Sequence, residues 1–143
     1  MGSREYARGR RVVARLPHGG DLLAEIGAVA GAHGMVMVEL RAIGALQRAR
    51  LSFYDQHAHR YEEFSVDEPM ELVSLLGTVS RRDGATAVHA HAALSNHSGG
   101  CIGGHVATGC VLFAGELVLQ ELVGEPLERV HDEQTGLPLW RDL

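Results

Sequence analysis

Lysine is absent from this 143-residue sequence, and all thirteen cationic side chains are arginines. Such a bias more often reflects the codon composition of a genome than phosphate-binding geometry, so no activity is read from it. The net charge of −5 with neutral histidines argues against general affinity for a phosphate polyanion, which rests on clustered cations and counterion release. Any nucleic-acid role needs a local patch. Cysteine is scarce, with only Cys101 and Cys110. Two residues separated by strand and turn cannot supply a disulfide framework, so both are expected to be reduced, apolar packing residues. No apolar run reaches the roughly 18 residues of a membrane span, and no basic segment leads into an apolar stretch with a cleavage site. A soluble, cytoplasmic protein with no membrane partner is the expectation. With 45% hydrophobic residues, the length suits one domain around one core. Residues 1–9 read as a flexible segment and 10–143 as the domain.

Arg11–Leu16 reads as a strand closed by the turn residues Pro17-His18-Gly19-Gly20, after which Asp21 occupies a helix N-cap position. Leu22, Leu23, Ile26, Val29 and Ala30 then recur at helical spacing, and His33-Gly34 supplies a stop. Beyond it the period changes to two. Met35–Ile43, Leu46–Tyr54, Tyr61–Val66, Met70–Val79, Ala87–Leu94, Cys101–Ala107 and Val111–Leu122 read as strands, broken by Gly44 and by the turn Asp55–His59. One early helix with many adjacent strands predicts an α+β fold: a largely antiparallel sheet with one main helix packed on it. The tail beyond Gly124 reads as less regular. Its turn at Asp132–Gly136 is followed by Leu137, Leu139 and Trp140, which could return to the body or meet a neighbouring subunit.

Nine histidines are an excess for this length, and imidazole is both a common zinc ligand and the side chain that titrates near neutrality. His89 and His91 lie one residue apart in a strand, so both point to one face. The turn Asn96-His97-Ser98-Gly99-Gly100, centred near Ser98, then places His105 opposite His91 on the next strand. Opposed side chains with Cβ atoms about 4.5–5.5 Å apart can converge on one ion. Three imidazoles with an open fourth position suit zinc, although ligand type leaves other divalent transition metals open. Gly103 and Gly104 beside His105 either admit a ligand or another subunit, or serve close strand packing. A cupin would place a Glu a few residues after the His-x-His pair, and Ala92–Ser95 contain none. His57 and His59, flanked by Asp55 and Arg60, read as exposed turn residues, and His18, His33, His97 and His131 as residues of element ends.

The order of these pieces resembles the plant and prokaryote conserved (PPC) domain, in the stand-alone form of prokaryotes related to the AT-hook nuclear-localised proteins of plants. The resemblance runs from Leu16-Pro17-His18-Gly19-Gly20-Asp21-Leu22-Leu23 through Ile43-Gly44-Ala45-Leu46, Phe53-Tyr54-Asp55 and Glu71-Leu72-Val73-Ser74-Leu75-Leu76-Gly77. It continues in Val88-His89-Ala90-His91-Ala92, Gly103-Gly104-His105-Val106, Glu116-Leu117-Val118 and Glu128-Arg129-Val130. It implies a homotrimer, zinc at the histidine site and a DNA-binding role. Plant members carry a separate AT-hook with an arginine-glycine-arginine-proline core, whereas here Arg8-Gly9-Arg10 is followed by Arg11.

Two functions follow as expectations. The first is a metal-binding, homotrimeric binding or assembly module that acts with DNA or a regulatory protein. Arg8, Arg10, Arg11, Arg48, Arg50, Arg81 and Arg82 are its candidate nucleic-acid contacts, and binding through them should be steeply salt-dependent. The second is a zinc-dependent hydrolase or lyase using water activated at the three-histidine site, with Glu71 or Glu116 in support. No catalytic nucleophile or cofactor fingerprint accompanies the histidines, which places the binding module first.

Overall fold

A computed structural model of the chain describes residues 2–141 and 143. The helix forms where the apolar stripe predicts it. α1 spans Leu22–Ala32 and buries Leu22, Ile26 and Ala30. Asp21 caps it by accepting a hydrogen bond from Ala24 N at 3.0 Å, and its second oxygen accepts one from Gly109 N at 2.6 Å. One carboxylate thus fixes both the helix start and the approach to a later strand. Gly34, at φ 63°, ends the helical path.

The strands are β1 (Ala7–Leu16), β2 (Val38–Asp55), β3 (Arg60–Val66), β4 (Met70–Arg82), β5 (Ala85–Ser95), β6 (Cys101–Val106), β7 (Val111–Val123), β8 (Glu128–His131) and β9 (Pro138–Trp140). β1 starts at Ala7 and pairs with β7, so the sequence around Arg8-Gly9-Arg10 is part of a strand. β2 is one continuous strand, not two segments broken at Gly44. Its first half pairs with β7 and β4, and its second half with β3 and β6. Gly44 is a bulge within it, at φ 153°. An added Cβ would stand 2.2 Å from the Ala114 carbonyl oxygen. A glycine read as a breaker therefore lets two backbones approach. The pairings β2–β4, β4–β5, β5–β6 and β6–β2 close a circuit, and Leu40, Leu51, Leu72, Leu75, Leu94 and Val106 are buried in the core.

The tail is more regular than its composition suggests. β8 and β9 form a hairpin, and β8 runs parallel to the end of β4 through Arg81 and Arg82. Trp140 Nε1 donates to Ser80 Oγ at 3.3 Å, which brings the apolar end back onto the body. The cysteines divide. Cys110 is buried and exchanges hydrogen bonds with the backbone of Arg50, but Cys101 is exposed at the start of β6, where its thiol donates to the Gly99 carbonyl at 3.6 Å. Among the described residues, no helix is long and apolar enough to cross a membrane.

Candidate metal centre

Alternation along β5 buries Ala90 and Ala92 and turns His89 and His91 outward. The β5–β6 hairpin is pinned by Asn96, whose Oδ1 accepts from Ser98 N at 3.1 Å and Gly100 N at 2.9 Å. This turn sets the register that pairs His91 with His105. The outcome is a cluster in which one potential ligand atom from each of His89, His91 and His105 lies within 4.8 Å of the others. Ligands of one tetrahedral zinc at about 2.0–2.1 Å stand about 3.3 Å apart, a separation that small ring rotations reach from here.

The donor set fits such an ion in a second respect. Nδ1 of His105 is buried and makes no hydrogen bond among the described residues. An unpaired buried nitrogen costs on the order of 1–3 kcal/mol, a cost that an ion held by Nδ1 would remove. Burial holds His89 well below its ordinary pKa, to about 4, with Arg129, His105 and His91 adding repulsion. His105 is lowered by burial, then by His91 and Arg129. Neutral imidazoles are the form that binds metal.

Arg129 is the residue that the reading of spacing missed. It sits on β8, where Nε donates to Ser80 Oγ at 3.2 Å, Nη1 to the Pro138 carbonyl at 3.1 Å and Nη2 to Thr78 Oγ1 at 3.3 Å. Nη2 also lies 3.2 Å from His89 Nδ1, and the guanidinium stacks over Trp140 at 4.8 Å. Guanidinium only donates, so His89 Nδ1 accepts here and Nε2 carries the ring proton. Burial lowers the Arg129 pKa. Its stretch, Glu128-Arg129-Val130, belongs to the quoted resemblance, but only the parallel β8–β4 pairing brings it to the histidines.

Tyr61 on β3 packs against His105 with ring centroids 4.8 Å apart and meets Tyr54 at 4.9 Å. Tyr54 Oη donates to the Thr135 carbonyl at 2.7 Å, tying the β2–β3 side of the site to the tail. Between them lies a cavity of about 490 Å³ whose wall includes the three histidines, both tyrosines, Arg129 and the apolar segment Leu137, Pro138 and Leu139. Gly104 lines it, whereas Gly103 serves strand packing: an added Cβ there would stand 2.8 Å from the Ala92 carbonyl oxygen.

Glu71 and Glu116 are exposed and line two other depressions of the surface, away from the cavity. The arginines are distributed over β1 (Arg8, Arg10, Arg11), β2 (Arg48, Arg50) and the end of β4 (Arg81, Arg82). Arg10 pairs with Glu121 at 2.7 Å and donates to the His33 carbonyl, Arg11 contacts Gln120, Arg50 pairs with Glu63, and Arg82 meets Asp83 at 3.9 Å. His57 and His59 are exposed in the turn that Asp55 closes by accepting from His57 N and Ala58 N.

A family model, the Plants and Prokaryotes Conserved (PCC) domain, matches residues 3–123. The chain belongs to this family. A metal-containing protein from Archaeoglobus fulgidus is 36% identical, with a TM-score of 0.93 over 98% of this chain and 99% of that one. A plant- and prokaryote-conserved protein from Pyrococcus horikoshii is 34% identical, with a TM-score of 0.93 over 100% and 99%. A bifunctional protein GlmU from a Synechococcus strain is 33% identical over 98 residues, 68% of this chain but 14% of that protein. The PCC chain therefore spans a small part of that curated relative.

The depressed histidine values give this PCC domain a pH signature in metal-stripped form. Both rings bind fewer protons folded than unfolded, so stability falls as pH drops below the ordinary value of 6.5, with the His89 share of the loss complete near 4. Thermal melts at pH 7.5, 6 and 5 should give successively lower Tm. In His89→Gln the decline over this window should be shallower.

Proposed function

We propose that this PCC domain is a zinc-binding homotrimeric binding or assembly module. The observation that carries the reading is the convergence of His89, His91 and His105, the last with an unpaired buried Nδ1. All three rings would hold the ion, whose chemistry when bound is that of a Lewis acid with an open fourth position. Arg129 and Tyr61 would orient the two inner rings.

Self-association is supported by the outer face of the sheet. Val13, Val118, Arg41, Leu76, His91 and His105 occupy successive paired positions on β1, β7, β2, β4, β5 and β6. Val13 and Leu76 in that row are 73% and 62% exposed, and Ile43 two positions from Arg41 is 54% exposed. Large apolar side chains left this exposed, here interleaved with Arg41 and the histidines, are the kind of surface that an interaction covers. The number three comes from the family resemblance.

Binding stands ahead of hydrolysis or lyase chemistry because, among the described residues, no Asp or Glu lines the cavity to act as general base. DNA is a further partner to test, since trimerisation would gather Arg8, Arg48 and Arg81 from three subunits. Such binding should weaken steeply with salt.

Native mass spectrometry tests the reading. A trimer with one zinc per subunit is expected, and Leu76→Arg should shift it to monomer without loss of secondary structure. A monomeric wild type, or one that takes up no zinc when supplied, would overturn the corresponding half.

A further inference from the structure

The wall of the histidine cavity has an unusual charge for this chain. The protein carries a net charge of −5, yet among the described residues the cavity is lined by two arginines, Arg82 and Arg129, and by no acidic side chain. Arg129 is half-buried there with neutral partners only: Ser80, Thr78, the Pro138 carbonyl and His89. A buried cation is normally offset by a carboxylate, and none of the described ion pairs involves Arg129.

The contact between Arg129 and His89 sharpens the point. It requires His89 Nδ1 to be an acceptor. If His89 binds an ion through Nε2, the ring proton must move to Nδ1, and two donors then face each other at this site. If it binds through Nδ1, the guanidinium loses that acceptor outright. Either way one N–H of Nη2 loses its acceptor while the other stays on Thr78 Oγ1, beside a centre that has become more positive.

We propose that the cavity binds a small organic carboxylate, with Arg129 as its anchor and an apolar or aromatic body against the apolar part of its wall. This assignment rests on the zinc reading of the same site and names its ligand class. The planar guanidinium matches a carboxylate. About 490 Å³ lies within the range of small-molecule sites. Phe53, Tyr61, Leu137 and Leu139 supply the apolar wall, and Phe53 is 66% exposed although large and aromatic. The apolar side chains of the wall and the single half-buried arginine favour a carboxylate with a hydrophobic body over inorganic phosphate.

The test is calorimetry on the zinc-loaded full chain with benzoate, benzamide and inorganic phosphate, with zinc content measured on the same samples. Benzoate should bind at least about tenfold more tightly than benzamide, since a hydrogen bond to a charged group is at stake, and Arg129→Gln should remove that difference. Because Arg129 also ties β8 to β4, soaking wild-type crystals with 4-iodobenzoate gives a second readout. The iodine should lie against the apolar wall and the carboxylate within hydrogen-bond reach of Arg129. Equal binding of benzoate and benzamide, phosphate binding as tight as benzoate, or iodine located elsewhere would overturn the assignment. One zinc per subunit without benzoate binding refutes this inference alone. Arg129-dependent benzoate binding without zinc uptake upholds the anion site and refutes the metal reading.

Discussion

His91→Ala and His105→Ala are each expected to lower zinc affinity by more than the roughly 10–100-fold that follows loss of a supporting residue around a metal. Each removes one of only three side chains that the cluster offers, and two imidazoles with water in the remaining positions are a weak site. The two variants should differ in stability. His91 is exposed, so its loss leaves the apoprotein nearly as stable as the wild type. His105 is packed between Tyr61 and the other histidines, but its buried Nδ1 is unpaired. Truncating it removes aromatic contact and an unsatisfied nitrogen together, effects of opposite sign. Competition titration against a zinc-binding dye measures the affinities, and chemical denaturation with chelator present measures the stabilities. Unchanged zinc affinity in either variant would place the metal elsewhere.

Gly77→Val is expected to produce the largest structural effect. Gly77 lies in the middle of β4, paired with Leu40 on one side and Ala90 on the other. A Cβ added there would stand 2.2 Å from the His89 carbonyl oxygen and 2.8 Å from Ala90 Cα. Both obstacles are backbone, so no rotamer change relieves them, and β5 itself must move. Overpacking costs about 1–3 kcal/mol where side chains can yield. This site should reach or exceed the upper end, about 6–12 °C in Tm for a domain of this size. Because the displaced strand carries His89 and His91, zinc affinity should fall as well. Gly31→Ala is the contrasting substitution. Gly31 lies in α1, an added Cβ there meets nothing within 4 Å, and the variant should be slightly more stable. Equal stability of Gly77→Val and the wild type would contradict the close approach of β4 and β5.

The centre of the site was legible because it is local. His89 and His91 share a face through the period of a strand, and the Asn96–Gly100 turn fixes His105 opposite His91 within one hairpin. The helix was legible for the same reason, its apolar stripe and its Asp21 cap lying within a few residues of each other. What spacing could not supply depends on distant pairing. Arg129 reaches His89 only because four residues of tail add to the edge of β4 in parallel, and parallel register leaves no short-range turn to read. Gly44 read as an interruption, since its bulge is accommodated by Ala114 on a strand some seventy residues away. Glu71 and Glu116 lie on β4 and β7, but they line other parts of the surface, which position along the chain does not reveal.

The zinc-edge X-ray absorption spectrum of the purified wild-type protein tests the central claim most directly. Three imidazole nitrogens and one further light atom at about 2.0–2.1 Å are predicted, with the outer-shell scattering of intact rings. A sulfur shell near 2.3 Å, or a first shell of oxygen without imidazole scattering, would show that His89, His91 and His105 do not hold the ion.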